Sequence, residues 1–114
     1  MAEISKIQLK ILEDLYERDI KNALNISIQP DAYDLDEKDE IMRIRELVFN
    51  IDQLCQLRLI DAKEHYYNES DSVTIAYLNN AVELNDRRIS LSALGIDYIE
   101  TMKKESENFE NLFK

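Results

Sequence analysis

The chain has 114 residues, 45% of them hydrophobic and 33% charged, with one glycine, one proline and one cysteine. That is the profile of a single compact, helix-rich domain and not of a disordered segment. Its net charge of −10 opposes a phosphate backbone, whose neutralisation by Lys and Arg supplies most non-specific nucleic-acid affinity. Glu3, Lys6 and Lys10 interrupt the apolar positions of the first ten residues, and no apolar run reaches membrane-spanning length. Neither a leader nor a membrane span is therefore expected, and the expected location is cytoplasmic.

In chain order, residues 3–22 read as a helix. Ile4, Ile7, Ile11 and Leu15 recur at three- and four-residue steps, and Leu9, Tyr16 and Ile20 form a second stripe nearly opposite, so the helix is expected to be covered on two sides. Residues 25–30 alternate apolar and polar positions up to Pro30, which predicts a short strand and a turn, with Asp31 capping a short helix through Tyr33 and Leu35. Residues 31–40 concentrate the acid: Asp31, Asp34, Asp36, Glu37, Asp39 and Glu40 stand against Lys38 alone, a net of −5. The strongest helical signal follows over residues 38–58, where Ile41, Ile44, Leu47, Val48, Ile51, Leu54 and Cys55 share one arc. Residues 59–67 and 73–78, rich in β-branched and aromatic side chains around turn-like residues 68–72, predict a hairpin, with a helix as the alternative for residues 73–84. Residues 87–91 predict another short strand. Ser92 then caps a helix through Ile96, Ile99 and Met102 that runs toward the C-terminus.

The order helix, short strand, short helix, long helix, hairpin, helix resembles the winged-helix variant of helix-turn-helix. Leu57, Arg58, Leu59 and Ile60 resemble the passage leading such domains from the long helix into the wing, and residues 88–99, with Ile89, Gly95, Tyr98 and Ile99, resemble the passage that closes many of them. More narrowly, the chain is similar to the small YjcQ-type winged-helix proteins of bacteria and their phages. It departs at Arg58, where a glycine is common, and in the extra residues 79–86. The fold expected is α+β: a winged helix-turn-helix, helix-rich, with a small antiparallel sheet and a C-terminal helix. The domain is expected over residues 1–104, with residues 105–114 a helical extension that docks or dimerises.

The resemblance implies DNA-binding transcriptional regulation, the long helix entering the major groove and the hairpin touching the backbone. On the face of that helix opposite Ile44, Ile51 and Cys55, the residues Asn50, Gln53 and Gln56 have the amides that read adenine edges, with Arg43 and Arg45 for phosphate or guanine. Lys63, Arg87 and Arg88 would steady the duplex. The same face also carries Met42, Phe49 and Leu57, apolar side chains that suit a protein contact better than a polar groove. Phe109, Leu112 and Phe113 extend apolar surface to the C-terminus. Two readings therefore stay open: a DNA-binding regulator, and a non-enzymatic protein-interaction module on the same frame. A homodimer through the first helix, the C-terminal helix or both is expected from their apolar stripes.

Chemistry of other kinds finds no support in the residues. Asp34, Asp36 and Lys38 begin like a calcium loop, yet such a loop needs an oxygen ligand at Lys38, glycine at Asp39 and glutamate at Arg45. His65 has no second histidine, Cys55 sits on the predicted core face, and Gly95 alone makes no phosphate-binding loop. Neither enzyme activity, metal nor cofactor is expected.

Overall fold

The computed structural model describes residues 4–64, 66–69 and 82–111. Helix α1, Lys6–Asp19, opens with a capping box in which the Ser5 hydroxyl accepts the Gln8 N–H and the Gln8 side chain accepts the Ser5 N–H. Ile11, Leu12, Leu15 and Tyr16 are all buried, because α1 lies between α2 (Glu40–Gln56) on one side and β4 (Ile89–Leu91) and α3 (Ala93–Asn111) on the other. Much of the two-sided pattern of α1 is thus covered within the chain, with Ile4, Ile7 and Leu9 partly buried against the core and Ile20 at the C-cap 41% exposed.

No strand forms at residues 25–30. The Ile28 N–H donates to the Asp86 carboxylate at 2.8 Å, so a side chain satisfies the donor that a strand ladder would have used. The short helix is a single 3₁₀ turn, Pro30–Ala32, capped by no side chain. Asp31 lies inside that turn and pairs with Arg43 at 3.3 Å. Asp39 caps α2, its carboxylate accepting the Met42 N–H at 3.1 Å, and a carboxylate there also complements the helix dipole.

At its end α2 turns through Arg58, whose φ of 63° is left-handed. The Leu59 N–H bonds back to Leu54 O and the Arg58 N–H to Cys55 O, both at 3.0 Å. These are the two bonds of a Schellman turn, closed by contact between the buried Leu54 and Leu59. Arg58 therefore adopts the backbone that glycine would. Arg58→Gly is expected to raise unfolding stability by about 0.5 kcal/mol, relief of the left-handed strain exceeding the added chain entropy. Urea denaturation with an unchanged m-value is the check, and a loss of stability would contradict it.

Strands of three residues make two antiparallel ladders. β1 (Ile60–Ala62) pairs with β4 in the register Ile60↔Leu91 and Ala62↔Ile89, and β2 (Tyr67–Glu69) pairs with β3 (Val82–Leu84) in the register Tyr67↔Leu84. Between the ladders the Lys63 N–H donates to Arg88 O at 2.8 Å and the Asn85 N–H to Tyr66 O at 2.7 Å. β1 is thus paired with β4, where Ile60, Ile89 and Leu91 share the buried face, and residues 73–78, the second strand expected for the hairpin, lie outside the described residues. Residues 70–81, including most of the strand-or-helix alternative, lie outside the described residues; residues 82–84 are strand.

The Ser92 hydroxyl accepts the Gly95 N–H at 3.0 Å and donates to Arg58 O at 2.6 Å, so the cap of α3 also ties it to the exit of α2. α3 continues unbroken across residues 104–105. One buried cluster joins α1, α2, Ile28, Tyr33, the ladders and Ile99. The fold is a helix-rich α+β arrangement with small antiparallel ladders and a C-terminal helix.

Candidate functional site

α2 presents three different surfaces. Leu47, Val48, Ile51 and Leu54 face the core. Along one flank Gln8, itself 6% exposed, donates both amide hydrogens, one to Asn50 Oδ1 at 3.1 Å and one to Gln53 Oε1 at 2.5 Å. The Asn50 amide in turn donates to Glu46 O. Nearer the N-terminus of the same flank Arg43 is held by Asp31 and by Pro30 O at 3.1 Å, and the Glu46 carboxylate accepts the N–H groups of Asp36 and Glu37. Asn50, Gln53 and Arg43 thus hold α2 to α1 and to the preceding loop. Gln8 was not singled out by the sequence; the signal that finds it is Ser5 three residues before a glutamine at the start of an apolar helix.

The remaining face is formed by Ile41, Met42, Arg45, Phe49, Asp52 and Gln56, which fall within about 100° of one another on a helical wheel. Phe49 is 60% exposed, Ile41 41% and Met42 38%. Met42 and Phe49 thus stand outward as their spacing predicts. Ile41, placed by its spacing in the core arc, is exposed instead, because it stands at the outer edge of that arc, about 80° round the helix from Ile51. Ile44 and Cys55 are only half-buried. Arg45 lies along Met42, its guanidinium 3.5 Å from the sulfur, and Asp52 accepts the Tyr66 hydroxyl at the lower edge. Burial, and then the Asp52 hydrogen bond, push the Tyr66 phenol above its ordinary pKa; burial followed by Asp52 and Asp61 does the same to the Cys55 thiol. A thiol shifted this way is a poorer nucleophile at neutral pH.

Leu57 leaves this face. It is half-buried and lines a cavity of about 490 Å³ with Leu59, Leu94, Tyr98 and Met102. Lys63 meets Arg88 through the backbone, its N–H donating to Arg88 O, with Arg87 next in the chain, and all three are exposed. Arg88 donates to Glu64 O at 3.0 Å, and the carboxylate of Asp86 is taken by Ile28 and not by the adjacent arginines. Phe109 is part of α3, while Leu112, Phe113 and His65 lie outside the described residues. Among the described residues no group of three or more His, Cys, Asp or Glu side chains is placed to hold a metal ion, and no helix is long and apolar enough to cross a membrane. Comparison of the chain with family models, with curated proteins and with solved structures finds no match.

Proposed function

We propose that this chain is a non-enzymatic, cytoplasmic protein-interaction module on a winged-helix frame, and that the outer face of α2 receives an apolar segment flanked by basic residues. The carrying observation is the outward face itself: Ile41, Met42 and Phe49 are exposed where a DNA-reading helix would show polar side chains. Two of the expected base readers, Asn50 and Gln53, have their side-chain oxygens engaged by Gln8. The acidic residues 34–40 and Asp52 rim this face, and with a net charge of −10 they favour a partner of opposite sign. The winged-helix frame is supported by the element order α1, 3₁₀ turn, α2, ribbon, α3. A second copy of the chain is a further expected partner, through α3; no cofactor is required.

The grouping of Lys63, Arg87 and Arg88 favours a second reading, a DNA-binding regulator. In it these cations, with Arg45 and Gln56 on the outer face and Arg43 at its flank, contact duplex DNA. Two measurements separate the readings. Fluorescence anisotropy against mixed-sequence duplex DNA is expected to show no steep salt-dependent binding. Affinity capture from the source cells is expected to return a protein that is lost with Phe49→Glu and retained with Arg45→Ala. Salt-sensitive DNA binding that Arg45→Ala or Lys63→Ala weakens would instead establish the regulator.

A further inference from the structure

The first half of α3 packs inward through Ile99, 2% exposed, and through Lys103, whose ammonium lies 4.4 Å from the centre of the Tyr16 ring and 3.5 Å from Glu17. A second stripe, Leu94, Tyr98, Thr101, Met102 and Glu105, runs beside this one at steps of three and four residues. It lines the cavity of about 490 Å³ together with Leu57 and Leu59. Leu94 is 50% and Met102 36% exposed, so large apolar side chains at the cavity meet water. The helix continues beyond this cavity to Asn111, and position 109, a phenylalanine, stands about three turns after Tyr98.

We propose that α3 pairs antiparallel with α3 of a second copy, about a two-fold axis passing between Thr101 and Met102. The sequence of the helix is self-complementary in that register. Leu94 falls opposite position 109 of the other copy, a phenylalanine in the sequence. Tyr98 falls opposite Glu105, which gives the one carboxylate in the stripe a hydroxyl donor. Asp97 and Lys104, both exposed, lie on the same flank of the helix. In an antiparallel pair like flanks face each other, so Asp97 of each copy comes within about two residues, roughly 3 Å along the axis, of Lys104 of the other. One isologous contact thus matches apolar with apolar and acid with base twice over. The pairing is independent of the α2 reading, whose outer face it leaves open.

The test is sedimentation equilibrium of the full chain from about 1 to 100 µM, a range that detects micromolar dimers. The expected mass is twice 13.4 kDa. Leu94→Glu is expected to give a monomer with unchanged helical circular dichroism. Asp97→Lys and Lys104→Asp are each expected to weaken the dimer about tenfold by placing like charges together at both ends, and the double reversal is expected to restore it. A monomeric wild type overturns the pairing, as does a dimer that ignores both single reversals.

Discussion

Gly95→Ala is expected to lower the unfolding free energy by about 3 kcal/mol, the upper part of the range for overpacking, although alanine is the better helix former by about 1 kcal/mol. A methyl group at this position would sit 2.1 Å from Leu59 O and 2.9 Å from a Leu91 methyl carbon. The obstructing atom is a backbone carbonyl and cannot rotate away. It is also held in place, since Leu59 O accepts the Ser92 N–H at 3.1 Å while the Leu59 N–H is tied to Leu54 O in the turn that ends α2. Relief therefore requires α3 to move off β1. That movement strains the Ser92 cap, whose hydroxyl bridges Gly95 and Arg58. Urea denaturation decides the sign: a variant as stable as the wild type, or more so, would mean that propensity governs and the close approach does not.

The same junction shows what was legible in the sequence. Ser92 is readable as a cap because a hydroxyl precedes an apolar helical stripe, and it caps α3. Arg58 is readable as a departure from glycine. Its retention of the left-handed backbone is not, because the Schellman bonds that impose it depend on Leu54 and Leu59 being buried together. The inner arc of α2 follows from its period, and Leu47, Val48, Ile51 and Leu54 are buried. The flanks of α2 do not follow, since Gln8 meets Asn50 and Gln53 across 42 and 45 residues of chain. No local pattern distinguishes an amide offered to a nucleotide base from one offered to another helix. The ribbon is harder still. Each strand is three residues long, too short for alternation to establish a period, and nothing local to residues 59–67 points to the observed pairing of Ile60 with Leu91. What selects that pairing is the buried face shared by Ile60, Ile89 and Leu91, a tertiary fact.

A larger stretch of that tertiary structure hangs on one cation, and Arg18→Met is expected to cost about 3 kcal/mol, the top of the range for partly buried hydrogen bonds to a charged group. The Arg18 side chain is 15% exposed. Its guanidinium donates to Asp19 at 2.8 Å, to Asp86 O at 2.9 Å and to Ile89 O at 2.7 Å, so one planar fork fastens the end of α1 to the 3₁₀ turn at Asp86–Arg88 and to β4. Its partners carry the connection onward: Asp19 accepts the Leu91 N–H at 3.2 Å, and Asp86 accepts the Ile28 N–H. Methionine keeps much of the aliphatic contact but removes one donor each from Ile89 O, Asp86 O and the Asp19 carboxylate. Lysine restores the charge as a point and not as a fork, so Arg18→Lys is expected to recover less than half of the loss; full recovery would make charge alone the cause. Amide exchange supplies the second readout. The Leu91 and Ile28 N–H groups are protected by carboxylates that Arg18 helps to anchor, so both should exchange faster in Arg18→Met relative to the Leu59 N–H, whose acceptor lies within the turn after α2. An Arg18→Met variant within about 0.5 kcal/mol of wild type, with Leu91 still protected, would show that apolar packing of α1 on β4 holds this corner without the guanidinium.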